Sequence, residues 1–347
     1  MISRRNVVIG GASATTMIAM PYVARAAQSV VFCGVGGSAA ETYKKNIFPK
    51  FEKAFGIKVQ YIPATIMEGL SKLEAQRASP QMDIVMVTEE GYAQYRQKGL
   101  FEHITADILP AITDIYPVLR YPGDDGVPIQ AVTTGIAYNS KIFESKGLKL
   151  PTSVQDLWRP DLKGRVAIWP PATTTGVLML LMIAKVEGGS PTNIMPAFER
   201  LKKFKNDVYF NIADEMTLLF QQETIWLGWW NNVRASLVAD TGFPVSFITP
   251  VEGAPLFTNG TTLVKGAPNR ENAIKLMNWL LSQDGQELIA QYYYGGPVAQ
   301  SVKLDPELAK KVAYGKTIMD GAYMADMSAV VSERSKWIDL WAREIAR

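Results

Sequence analysis

Strand-like and helix-like patterns take turns along this chain, and that alternation narrows the possible architectures to one class. Residues 29–34 (SVVFCG) read as a buried strand, 39–56 as a helix stopped by Gly56, 57–63 (IKVQYIP) as a strand, 67–79 as a helix and 82–88 (MDIVMVT) as a strand again. Strands and helices in this order require right-handed crossovers and a largely parallel sheet, so the expected fold class is α/β. A long strand pattern follows over 129–140 (IQAVTTGIAYNS). After it the alternation restarts with 151–169, helices from about Gly176 to Val186 and over 196–204, and a strand within 243–250. A last run, 259–266 followed by helices over 269–282 and 284–294, reads as the first unit resumed. The expected organisation is therefore two lobes, each a mostly parallel sheet flanked by helices. Residues 27–136 and 257–347 form the first lobe and 137–256 the second, with two crossings near residues 134–139 and 255–261. At 347 residues, 48% of them hydrophobic, the chain has the material for two cores.

The first 26 residues stand apart from this pattern. Arg4 and Arg5 precede an apolar run diluted by Gly, Ser and Thr, and the segment closes on Ala24-Arg25-Ala26. That order is expected of an export signal cleaved after Ala26, which makes the mature protein periplasmic. A membrane anchor wants about 20 strongly apolar residues, whereas Pro21 interrupts this run. The arginine pair resembles a twin-arginine start, although Val7 and Val8 stand where that pattern prefers Phe-Leu. The segment's three arginines account for the whole excess of 36 basic over 33 acidic residues. With no long Lys/Arg run elsewhere, no nucleic-acid partner is expected. Cys33 and His103 are the only residues of their kinds. No intrachain disulfide, no Cys/His metal cluster and no cofactor is expected, and His103 reads as a residue of a surface loop.

Candidate binding residues fall where strand patterns end. Gly34–Ala39 (GVGGSA) matches G-x-G-x-x-A, but the acid that a dinucleotide site places at the end of the second strand is missing, since the next one is Glu68 inside the following helix. What remains is either a tight turn or a helix start at which Gly37 and Ser38 offer N–H and O–H groups to a ligand. Pro170–Gly176 (PPATTTG) makes a similar offer through Thr173, Thr174 and Thr175, more hydroxyls than one helix cap needs. Thr88, Glu89 and Glu90 end the third strand; the two acids are either readers of a cationic group or solvated loop carboxylates. Trp226–Asn232 (WLGWWNN) crowds three tryptophans beside two amides.

The order GIKVQYI, MDIVMVT, TTGIAYNS, DLKGRVAI, WWNNVRASL, EGAP, YYYGGPVA resembles the substrate-binding proteins of bacterial ABC importers, in the branch that includes polyamine- and ferric-ion-binding members. The resemblance covers nearly the whole chain after residue 26. It implies a two-lobed periplasmic-binding-protein fold with a ligand held in the cleft, hinge closure, and delivery to a membrane permease by a receptor expected to be monomeric. It also implies that WWNN lies at the cleft, so Trp229 and Trp230 are expected to stack on a flat ligand group while Asn231 and Asn232 orient it; Trp226 is expected in the core. The ferric branch has a tyrosine pair in this region, and Trp229 and Trp230 carry no such oxygen, so no metal site is expected. The tyrosines 292–294 are expected to pack and to rim the cleft.

Two departures bear on the ligand. The polyamine branch has an aromatic-x-Asp after its EGG turn, whereas this chain has Phe257-Thr258-Asn259; and where that branch carries acids at the start of the second-lobe helix, this chain has threonines. A buried ammonium needs a carboxylate, and amides and hydroxyls do not supply one. The expected function is a solute receptor for a small organic anion or zwitterion with a flat portion, its site drawn from Gly37, Ser38, Thr88, Glu89, Glu90, Thr173, Thr174, Thr175, Trp229, Trp230, Asn231 and Asn259. The alternatives are a cationic amine as ligand or, in another class, a secreted α/β enzyme using Asp214, Glu215 or Glu252. The enzyme reading has no motif behind it, and the acids near 213–215 suit a helix N-terminus without any chemistry.

Overall fold

The computed structural model describes residues 28–204, 208–209 and 213–346; the expected export signal lies outside them. Ten strands are present among the described residues: β1 Ser29–Gly34, β2 Lys58–Pro63, β3 Ile84–Thr88, β4 Val127–Asn139, β5 Val166–Ile168, β6 Val208–Tyr209, β7 Leu227–Asn231, β8 Val245–Ile248, β9 Ala254–Leu263 and β10 Ala322–Met324. Their order is β2-β1-β3-β9-β4-β7-β5-β6, with β10 added to β9 and β8 to β4. Parallel pairs β1/β2, β1/β3, β5/β6 and β5/β7 occupy the outer parts, and the long strands β4 and β9 join them in antiparallel fashion.

β4 divides the molecule. Its residues up to Thr133 pair with β9, and from Thr134 onward they pair with β7 and β8. All thirteen of its residues are buried, which is why its sequence reads as one continuous run. The chain leaves the second half after β8 and rejoins the first at β9. Each half then closes a core of its own. In β3, Ile84 and Met86 face one cluster with Phe32, Phe51 and Leu276, while Val85 and Val87 face another with Leu70, Tyr92 and Tyr121. Alternate residues of a strand point to opposite faces, so this sheet is covered on both sides.

Two expectations need correction. The single helix over 39–56 is interrupted: Ser38–Thr42 and Phe48–Phe55 are α-helical and Tyr43–Ile47 forms a π turn between them. Pro49 has no N–H to give the carbonyl four residues back, so the ladder widens there. Residues 257–347, expected in the first lobe, also do not pack against the first half alone. The final helix, Met327–Glu344, packs on the helix Glu89–Tyr95 of the first half and also buries Val330, Trp337 and Trp341 in the cluster that holds Trp169, Leu178 and Phe198, so the segment after β10 makes a third crossing, to a helix that lies against both halves. Among the described residues no strand follows this helix to mark the passage in the sequence.

Candidate functional site

The carboxyl ends of β1 and β3 in the first half face those of β5 and β7 in the second, and each of the four leads into a helix whose first turn brings N–H groups to the same region. At β1 the chain turns through Gly37, whose φ of 67° favours a residue without a side chain, into the exposed Ser38. At β3, Thr88 Oγ1 accepts from Gly91 N at 3.2 Å and caps the helix Glu89–Tyr95. Asn259, half-buried on β9, is registered with both Thr88 and Gln130.

In the second half, Thr173 Oγ1 accepts from Gly176 N at 3.1 Å and caps the helix Thr174–Val186. Thr174 lies half-buried in its first turn and Thr175 is buried. Gly176 permits this turn to form, because a Cβ there would stand 1.9 Å from the Pro170 carbonyl oxygen. At the end of β7, Asn231 accepts from Arg234 N at 2.9 Å and caps the helix Asn232–Ala239.

Several side chains reach across. Arg234 Nη1 donates to Ser38 Oγ at 3.5 Å. Its charge also acts on Tyr293, whose phenol is raised by burial and drawn partly back by the guanidinium. Arg334, on the final helix, pairs with Glu90 of the first half and donates from Nε to the Pro171 carbonyl of the second at 2.9 Å. Asn232 accepts from Thr133 N at 3.0 Å and donates to the Tyr294 carbonyl at 3.0 Å, a positioning role at the point where β4 changes partners.

The expected residues thus divide. Gly37, Ser38, Thr173, Thr174, Thr175, Asn231 and, from the β3 end, Thr88 and Asn259 lie at the facing strand ends. Trp229 and Trp230 do not offer a surface: both are 0% exposed within the second core, where Trp230 lies 6.0 Å from Phe220. Consecutive strand residues point to opposite faces, and helices cover both faces of this sheet, so a tryptophan pair fills one layer each. Trp226, expected in the core, is half-buried between Lys146 and Arg165, whose charged groups lie 4.9 and 5.0 Å from its ring.

The acids are engaged as well. Glu90 has Arg334 as its partner. Glu89 accepts from Thr258 Oγ1 at 2.7 Å and is pushed by burial up to about 7, with the Thr258 hydrogen bonds pulling the other way. Glu252 accepts from Ser153 Oγ and from Val154 N at 3.2 Å, a structural role beside the second crossing, while Asp214 and Glu215 lie on the helix Ala213–Gln221. His103 is 62% exposed, beside Asp125. Among the described residues no group of three His, Cys, Asp or Glu side chains is placed to hold a metal. The arrangement supplies hydroxyls, backbone N–H groups and the guanidinium of Arg234 at the mouth between the halves. Arg234 was missed by the sequence reading; its signal was its place three residues after the amide that caps its helix.

Residues 46–316 match the family model described as bacterial extracellular solute-binding protein. The spermidine/putrescine-binding periplasmic protein of Escherichia coli (strain K12) is 26% identical, over 83% of this chain and 85% of its own length. Among solved structures, an ABC transporter protein from Clostridium perfringens aligns with a TM-score of 0.76 at 24% identity, covering 91% of this chain and 99% of its own. The periplasmic binding protein AfuA from Actinobacillus pleuropneumoniae, bound to fructose-6-phosphate, aligns with a TM-score of 0.71 at 22% identity, covering 92% and 98%.

Proposed function

This chain belongs to the bacterial extracellular solute-binding proteins, and from that premise we propose that it is a periplasmic receptor that captures a small organic anion or zwitterion between its halves and hands it to the permease of an ABC importer. The reading is one of binding rather than catalysis, by a monomer whose halves close on the solute about the partner change in β4 and the crossing before β9. The acidic end of the solute is met by Ser38 and Gly37 N–H from the first half and by Arg234, Thr173, Thr174 and Thr175 from the second, with Thr88, Asn231 and Asn259 orienting the remainder. The solute needs no flat group, because Trp229 and Trp230 are buried and stack on nothing at the mouth.

The observation that carries the reading is the guanidinium of Arg234 at Ser38, together with the occupation of Glu90 by Arg334. These groups donate to an anion, whereas the ammonium groups of a polyamine need carboxylates. The test is calorimetry of the full chain against a panel of small carboxylates, phosphonates and di- and polyamines. A carboxylate or phosphonate is expected to bind, and Arg234→Ala is expected to weaken it by about 1.5–3 kcal/mol, the scale of a hydrogen bond to a charged group. No binding of any carboxylate or phosphonate, or anion binding unchanged in Arg234→Ala, would reject the anion.

A further inference from the structure

Glu89 belongs to a different place from the residues just described. Thr258, whose hydroxyl it accepts, lies between Phe257 and Asn259 on β9, so its side chain points to the opposite face of the sheet from theirs. There the Thr258 hydroxyl also meets the Tyr121 hydroxyl at 2.9 Å, and Glu89 opens onto a cavity of about 290 Å³. None of Ser38, Thr173, Thr174, Thr175, Asn231 or Arg234 lines it. Its walls come from the helix Glu89–Tyr95, the segment 117–122 and the third crossing, 324–328.

The chemistry of these walls is specific. Tyr92 and Tyr121 bring rings, and Val118, Met324 and Met327 bring apolar surface. Two arginines and one further acid reach the rim, and each is already held: Arg96 by Asp125 at 3.3 Å, Arg120 by Asp124 at 2.9 Å, and Asp326 by Ser328 N at 3.0 Å at the start of its helix. Glu89 takes part in none of the described ion pairs; its hydrogen bond comes from a neutral hydroxyl. A carboxylate sunk beside aromatic rings without a cation is disfavoured in its charged form, which is the direction in which its titration has moved. A cationic guest would reverse that. The volume is at the lower end of small-molecule sites, which begin at about 300 Å³.

We propose that this cavity is a second ligand site, separate from the mouth between the halves, and that it takes a small primary alkylammonium. The ammonium pairs with Glu89 over the faces of Tyr92 and Tyr121, and the alkyl body lies against Val118, Met324 and Met327. Because the third crossing forms one wall, an occupant touches both the first half and the segment that leads into the final helix.

The test uses n-butylammonium chloride titrated calorimetrically into the full chain at about pH 8, where Glu89 is ionised. One saturable site is expected. Glu89→Gln should weaken it at least tenfold, Val118→Trp should block it by filling the cavity from an exposed position, and Arg234→Ala should leave it unchanged. Thermal melts of the three variants establish that each is folded before binding is compared. The absence of saturable binding to the parent chain, equal affinity in Glu89→Gln, or loss in Arg234→Ala with retention in Glu89→Gln would each overturn the proposal; the last would assign the amine to the mouth instead.

Discussion

Trp229 and Trp230 are two of the largest side chains with no exposed surface in the protein, and both indole N–H groups are buried without a hydrogen-bond partner. Their contribution is volume in the second core. Trp229→Ala is expected to lower unfolding free energy by about 3–5 kcal/mol in urea titrations. Unchanged stability with abolished solute binding would instead make the ring a binding surface. Glu89 makes a separate prediction about pH. Its carboxyl is held above the ordinary range in the folded chain, so the native state binds that proton more tightly than the unfolded state does. The group is therefore without penalty at pH values below the ordinary carboxylate range and takes stability away as pH rises towards 7. Glu89→Gln removes that penalty, and its stability relative to the parent chain should rise by about 1–3 kcal/mol between about pH 5 and about pH 8. A difference independent of pH would contradict the shift.

The loops that precede helices are the working elements, and Pro170–Gly176 is the most constrained of them. Gly176→Ala would drive a methyl group into the Pro170 carbonyl and displace the three threonines as a set. The expected result is a stability loss of about 1–3 kcal/mol, the scale of an overpacked contact, together with solute binding weakened more than tenfold in calorimetry. Unaltered binding would remove this loop from the site. Elements of this kind were legible in the sequence to different depths. β1 occupies the residues expected, β2 and β3 begin within two residues of expectation, and β4 runs over 127–139 where 129–140 was read. Period-two and helical patterns report local geometry, and these strands are dominated by it. β9 begins at Ala254 rather than near 259 because Ala254 and Pro255 carry no strand pattern of their own, while pairing with β10 makes them strand. For the site, the strand ends were legible as places but the direction of side chains was not. A strand covered on both faces carries no mark of which face is solvent, which is why the tryptophans misled. Arg334 is 244 residues from Glu90, and no local pattern brings the two together.

At the scale of the molecule, the halves are joined at three passages rather than two, and the third ends in a helix whose Arg334 holds a loop from each side. Removing two charges from water is costly, and this pair recovers the cost only while Glu90 and the Pro171 carbonyl stand together. The final helix therefore favours the arrangement in which the mouth residues face one another, with Arg234 near Ser38. Everything proposed for the solute depends on what that mouth selects. The most direct measurement is mass spectrometry of the small molecules released by denaturing protein that has been purified gently from its own periplasm. The account predicts one solute, close to one equivalent per chain, bearing a carboxylate, phosphonate or phosphate group. Release of a polyamine or another purely cationic solute with no anionic solute beside it would contradict it.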